Sequence, residues 1–425
     1  MICLILASIA LHLPQQSAQP TASDLQRQLD VLQAELQALR ADHEVSLDRQ
    51  RDLEGRYRAV LEELEALGAD PQPGAGSSWY ERFVLGGYGE IHLNAQEGDG
   101  GDQIDIHRWV MYLGYRFADW IQLHSETELE HAFVSDGDGE LSIEQLHVDF
   151  LLGGAVNVRA GRYLTPLGII NKRHEPPTFN GVERPLFDTV VIPTTWSSDG
   201  VGIWGDLCDG VAYELYLGSS LDGSGFDAVN GIRGGRLKER PGISEPAVSG
   251  RVDWRPTAGG GDLRLGLSFF GGGLDNGDQG TEPGVDADLE IYSADAEYSV
   301  EGWDFRGVYA YEKINGAADI DNNVAEAIDG FYLEAARHIM PDRWKTGRLQ
   351  DADLVAFVRY DQVDTQKDMP SGIAADPRGD RDEITLGLSY LPIPGLVIKT
   401  DYQFRDDDSS AGLPERFNLG LGWWF

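Results

Sequence analysis

Charged residues recur at every second position in several stretches of this chain, a spacing that lines one face of an extended strand. His124, Glu126, Glu128 and Glu130 form one such row, and Lys399, Asp401, Gln403 and Arg405 form another. Strand neighbours two apart lie about 7 Å from each other, which is loose for shared metal ligands. The acidic row therefore reads as a wall of charge, and no protein metal site is expected in it. A second group is compact in sequence: Lys172, Arg173, His174 and Arg184, interleaved with Glu175, Glu183 and Asp188. Such a cluster can draw an anion or carboxylate into a constriction, or it can pair with surrounding acids and hold a loop in place. The chain holds no G-x-S-x-G, H-E-x-x-H, paired-Cys or G-x-x-x-x-G-K motif, so the chemistry expected is non-covalent and not that of an enzyme.

Oxygen ligands gather in three acidic segments, Asp136 to Glu140, Asp275 to Asp278 and Asp406 to Asp408. They suit Ca²⁺ or Mg²⁺ at outer loops, although none has the twelve-residue Ca²⁺ loop pattern. The formal charge of −37 makes a nucleic-acid partner improbable. Only Cys3 and Cys208 occur, and Cys3 falls in the expected leader, so the mature chain has no internal disulfide to form.

The elements that must carry these rows are strands. Gly 52, Trp 10, Tyr 16 and Phe 15 against four Met give the turn-rich, aromatic-rich composition of long antiparallel sheets. Beyond the N-terminal segment no run of 18 apolar residues occurs, which excludes a membrane-spanning helix. A mean hydropathy of −0.31 is compatible with strands apolar on alternate residues only. In Leu263, Leu265, Leu267 and Phe269 against Asp262, Arg264, Gly266 and Ser268, one face suits lipid and the other water.

Sixteen strands are expected, starting near residues 81, 105, 120, 141, 156, 198, 211, 247, 262, 288, 303, 327, 353, 380, 396 and 415. Short connectors alternate with longer acidic ones, with a longer exception near 339 to 352. Short turns on one rim and long loops on the other describe a transmembrane antiparallel β-barrel with both termini on the short-turn side. The alternation places Arg159, Arg251, Arg264, Arg306, Arg359, Lys399 and Arg405 inward. Facing them are Glu126, Glu128 and Glu130, with Asp149, Glu214, Asp253, Asp295, Glu297, Glu312 and Asp401. Opposed rows of charge across a narrow pore favour polar solutes that can align with the field.

The segments before the barrel have their own signatures. Residues 1–22 read as a signal peptide, with an apolar core at 2–13 followed by Pro14 and small residues. Residues 24–67 read as an α-helical coiled coil whose seam includes Leu25, Leu29, Leu32, Leu36, Leu39, Leu53, Leu64 and Leu67. The seam positions advance by alternating steps of four and three, which calls for self-association. At 1.5 Å per residue the helix would reach about 65 Å into a periplasm. Residues 68–78 form a Pro, Gly and Ser linker, and the barrel occupies 79–425 with an inward-folded loop at 164–196.

The chain ends Arg416-Phe-Asn-Leu-Gly-Leu-Gly-Trp-Trp-Phe425, with alternate apolar residues and a terminal Phe425. This ending resembles the closing strand by which the barrel-assembly machinery recognises outer-membrane barrels. The segment GRYLTPLGIINKRHEPPTFNGVERPLFDTVVIPTTWSSDGVGIWG at 161–205, with Arg337-His-Ile-Met-Pro341 and the coiled-coil prefix, resembles the phosphate-selective porin O and P family. The resemblance spans roughly residues 79 to 425. It implies a trimeric channel in the outer membrane, in contact with its lipid, passing small hydrophilic solutes passively, with anions such as phosphate or carboxylates expected. That family relies on ladders of Arg and Lys along the pore, whereas this chain has only six Lys. The alternative is an architectural anchor, in which the coiled coil tethers the outer membrane to peptidoglycan or spaces the envelope.

Overall fold

The structure, a computed structural model, describes residues 79–98, 101–131, 139–236, 240–256, 261–274, 285–320 and 323–425. The expected signal peptide, the coiled coil with its Leu seam and the linker lie outside the described residues, as do most of the acidic segment 136–140 and all of 275–278.

Sixteen strands close into one antiparallel barrel. They are β1 (Phe83–Gln96), β2 (Gln103–Ala118), β3 (Ile121–Glu130), β4 (Glu140–Phe150), β5 (Asn157–Leu164), β6 (Ser197–Cys208), β7 (Val211–Gly218) and β8 (Ala247–Trp254). The second half comprises β9 (Asp262–Gly273), β10 (Asp288–Val300), β11 (Trp303–Asn315), β12 (Ala327–His338), β13 (Asp353–Asp368), β14 (Asp380–Ile393), β15 (Leu396–Asp407) and β16 (Arg416–Trp424). Each strand pairs with its sequence neighbours and β1 pairs with β16, so no edge is left unpaired. Phe425 completes the seam by exchanging two backbone hydrogen bonds with Gly87, at 2.9 and 3.0 Å. Closure matters because a strand edge in hydrocarbon would leave its amides unsatisfied.

The period-two alternation is visible in burial. Along β9, Arg264, Gly266 and Ser268 are buried while Leu267 and Phe269 are exposed outward. Aromatic side chains crowd the short-turn rim, where Phe83 contacts Tyr115, Trp120 contacts Phe150 and Trp303 stacks near Phe305. Such rings fit the boundary between hydrocarbon and water.

Simple alternation breaks between β3 and β4. Glu126 of β3 pairs with Gln145 of β4 and Thr127 pairs with Ile143, so Glu144 is an extra, bulged residue. A bulge re-aims a side chain and bends its strand. Gly161 on β5 accommodates that bend: its φ is +130°, and a Cβ there would lie 2.2 Å from the Leu146 carbonyl oxygen.

The interior also differs from an all-polar lumen. Toward the long-loop rim the inner faces of β10 to β13 carry Leu289, Ile291, Val308, Ala310, Ile314, Ile328 and Val363, all buried. They pack with Leu167, Ile169, Ile170, Phe187, Val190, Val191 and Ile192 of the third long loop (165–196) and with Leu221, Phe226 and Ile232 of the fourth (219–246). This side of the barrel is filled by an apolar core made of loop and wall. Glu312, expected to line a hydrated lumen, is fully buried on β11 with neither carboxylate oxygen hydrogen-bonded.

Candidate functional site

The third loop leaves β5 and returns to β6 through a neck tied by one side chain. Asn171 donates to the carbonyls of Thr165 and Trp196 at 2.7 and 3.0 Å and accepts from the Trp196 amide at 2.8 Å. From that neck the loop crosses the lumen and is held by the far wall. The Val182 amide donates to Asp401 at 2.6 Å, the Phe187 amide to Asp361 at 3.3 Å, and Asn180 to Glu334 at 2.9 Å. In the other direction Arg251 donates to the Gly168 carbonyl and Arg359 to that of Asn180. Lys399 places its ammonium 3.8 Å from the centre of the Phe179 ring.

All seven basic residues assigned inward from the sequence lie on the inner face, and six of them pair with wall acids. From β8 to β15 the pairs form a continuous belt: Arg251 meets Asp253 and Asp295, Arg264 meets Asp253, Asp295 and Glu297, and Arg306 meets Glu297 and Glu334. The belt continues through Arg359 to Asp361 and Glu383, and ends with Arg405 and Glu383. Arg159 pairs with Asp149 at 2.7 Å, apart from the belt. These guanidiniums are neutralised where they stand, and two of them, with Lys399, also hold the loop.

The loop cluster divides. Lys172 reaches Glu214 on β7, and Arg173 reaches Glu297 on β10 at 2.5 Å. Both side chains are drawn to the wall by acids within reach, so they brace the loop. Glu175 accepts from the Tyr112 hydroxyl at 3.2 Å. His174 is buried beside Glu126 and Glu144. Burial disfavours the charged ring, but the two carboxylates outweigh it and lift His174 to about 10. Of the seven residues of the cluster, Glu183, Arg184 and Asp188 line a cavity under the loop.

That cavity, about 260 Å³, lies between the loops and the wall of β1 to β5. Its wall side is acidic. Arg108 of β2 faces Glu90 at 2.7 Å, Glu128 at 2.9 Å and Glu130 at 3.7 Å, one guanidinium against three carboxylates, and His92 also meets Glu90 at 3.1 Å. Its loop side carries Arg184, Arg233 and Arg236, none ion-paired among the described residues. They donate to backbone carbonyls instead: Arg184 to His174, Arg233 to Thr189, and Arg236 to Thr195 and Pro193. Burial, with Arg233 and Arg184 close by, brings Arg236 down to about 10. Glu183 sits between the two faces, and despite burial the His92 ring holds its carboxyl below the usual range. A second cavity of about 350 Å³ takes in Tyr112, His124, Glu126, Gln145, His147 and Arg159.

Sequence reasoning missed Arg233, Arg236 and Glu144. The first two stand in a Gly-rich loop, Gly231-Ile-Arg-Gly-Gly-Arg236, and their approach to the third loop is a tertiary contact with no local signature. Glu144 is out of step with Asp149 and His147 because of the bulge. Strict alternation sends it outward.

No family model matches the chain. Solved barrels share its fold at low identity. The OmpF porin of Salmonella typhi, in complex with daunomycin, superposes with a TM-score of 0.52 at 13% identity, covering 81% of this chain and 97% of that one. An anion-selective porin from Comamonas acidovorans gives 0.51 at 11% over 81% and 99%. A loop-deleted form of OmpT, an outer membrane protein of Vibrio cholerae, gives 0.51 at 13% over the same shares. At the level of sequence, an uncharacterized protein of Aquifex aeolicus (strain VF5) is 33% identical over 361 residues, 80% of this chain and 79% of that one, and the chain belongs to that protein's family.

Proposed function

We propose that this barrel is a passive diffusion channel of the outer membrane for small hydrophilic solutes, with anions such as phosphate or carboxylates as its preferred cargo. The observation that carries the reading is the 260 Å³ cavity in which three guanidiniums, without carboxylate partners among the described residues, face an acidic wall. A planar or carboxylate anion there meets donors already aimed from a fixed loop. The transverse field orients polar solutes, and the acids opposite keep binding weak enough for release. The apolar outer face and aromatic rim suit outer-membrane lipid. The chain's resemblance to the phosphate-selective porins supports assembly as a homotrimer, insertion through the barrel-assembly machinery at Phe425, and an N-terminal coiled coil at 24–67. Ca²⁺ or Mg²⁺ at the acidic outer loops belongs to the same proposal.

The apolar core that fills one side of the lumen favours a second reading, an architectural anchor whose coiled coil tethers or spaces the envelope at peptidoglycan. Reconstitution of the purified protein in planar bilayers separates the two. Stepwise openings support the channel. A folded barrel that never conducts supports the anchor.

A further inference from the structure

Three side chains from separate elements converge where the third loop meets the wall: Glu126 of β3, Glu144 at the β4 bulge, and His174 of the loop. All are at least 95% buried. His174 places Nε2 3.3 Å from Glu126 Oε1 and 3.4 Å from Glu144 Oε2. Charge-assisted hydrogen bonds are shorter, about 2.7 to 2.9 Å. The two distances instead match the edge of a tetrahedron around a metal ion held at about 2.0 to 2.1 Å, which is about 3.3 Å.

The surroundings are those of a ligand set. His174 Nδ1 lies 3.2 Å from the Asn171 carbonyl, to which it donates, leaving Nε2 for a metal. A carbonyl in this position commonly fixes the tautomer of a metal-binding histidine. Each carboxylate has its other oxygen occupied, Glu126 Oε2 by Gln145 and Glu144 Oε1 by the Thr195 hydroxyl. Glu144 Oε2 is buried without a hydrogen-bond partner, and so is the Tyr88 hydroxyl, whose ring stands edge-on to His174 with centroids 5.8 Å apart. The bulge that turns Glu144 inward is the kind of irregularity strands use to re-aim a side chain at a site. Two other histidine–acid groups on this wall look different. Asp105 meets His107 and His131 at ordinary hydrogen-bond distances of 3.0 and 2.8 Å, while His124 and His147 stand 3.8 and 3.9 Å from Asp149.

We propose that Glu126, Glu144 and His174 bind a divalent transition-metal ion, Zn²⁺ by the donor set, which clasps the third loop to the barrel wall. Two carboxylates and one imidazole supply three of the four donors of a tetrahedral Zn²⁺, leaving the fourth position for a water or the unpartnered Tyr88 hydroxyl, and the negative pair balances the ion's charge. Binding displaces the proton from His174 Nε2, and that proton leaves to solvent.

The test uses the full-length protein folded in detergent, stripped with a chelator, equilibrated with Zn²⁺ alone, desalted and assayed for metal. One Zn²⁺ per chain is expected in the wild type. Glu144→Gln and His174→Gln should each weaken retention by roughly 100-fold or more, beyond the loss typical of outer-shell changes, while His107→Gln with His131→Gln leaves it unchanged. Should the Glu144→Gln protein fail to fold, Co²⁺ loaded into the wild type reports directly, and its tetrahedral visible bands are expected. A wild type that retains no metal, a Glu144→Gln protein that retains it normally, or an octahedral Co²⁺ spectrum would overturn the proposal. Metal retention is read without conductance, so failure here is distinguishable from failure of the channel.

Discussion

Replacing Phe187 by Ala should release the third loop without opening the barrel. Phe187 is fully buried, its ring 5.9 Å from that of Tyr332 on β12 at an interplanar angle of 68°. Its carbonyl accepts from the Val191 and Ile192 amides at 3.0 and 3.2 Å. Truncation of a buried Phe leaves a void and costs about 3 to 5 kcal/mol. The strand ladder does not run through this side chain, so the cost falls on the loop's packed state. Its local opening equilibrium should rise about 150-fold to 5,000-fold. Hydrogen exchange by mass spectrometry on the folded protein measures this at Val191 and Ile192, with the β12 and β13 amides around Gly330 and Val363, which face each other in the ladder, as the internal reference. Faster exchange confined to the loop is the expected result. Exchange at the wild-type rate would refute the view that apolar packing holds this loop across the lumen.

Other substitutions probe the same contacts. Lys172→Glu with Arg173→Glu would set new acids beside Glu214 and Glu297, so single-channel recordings should show noisier open currents with little change in reversal potential. Gly161→Ala adds a Cβ 2.2 Å from the Leu146 carbonyl oxygen at φ +130°. Backbone strain of about 1 to 3 kcal/mol plus that clash should lower the midpoint of heat-induced unfolding on gels, whereas Gly153→Ala, with open space around it, should not. Deleting Phe425 removes both hydrogen bonds to Gly87, and assembly into the heat-modifiable barrel should slow. Wild-type kinetics would remove that residue from the closing step.

The barrel was legible because its physics is local. Nine strands, those beginning at Val211, Ala247, Asp262, Asp288, Trp303, Ala327, Asp353, Asp380 and Leu396, start where alternation and turn residues place them. Inward Arg251, Arg264 and Arg359 follow from the same period. What alternation cannot express is an extra residue, and the bulge turns Glu144 to the inner face where strict alternation would send it outward. Nor does it distinguish an inner face meant for water from one meant for a loop: Ile291, Val308 and Ile328 alternate as lumen residues would, yet they pack against Phe187 and its neighbours. The loop cluster reads as one patch because its members are close in sequence. Their partners, Glu214 for Lys172 and Glu297 for Arg173, are 42 and 124 residues away, and only the closed barrel brings them together. The same holds for Arg233 and Arg236, whose meeting with Arg184 depends on how two long loops pack.

The most direct measurement is the reversal potential across a KCl gradient for the wild type and for a protein carrying Arg184→Gln, Arg233→Gln and Arg236→Gln. An ion in a cavity of about 260 Å³ stands roughly 7 Å from each guanidinium, a distance worth about 0.6 kcal/mol at the dielectric constant of water and about 2.4 at an effective value of 20. Each lost charge should then weaken Cl⁻ roughly threefold to fiftyfold and favour K⁺ by the same factor, so the preference for Cl⁻ over K⁺ falls by about tenfold or more. Anion preference in the wild type, lost or inverted in the variant, is the predicted result. A wild type that prefers cations, or a variant with an unchanged reversal potential, would contradict selection by these three guanidiniums.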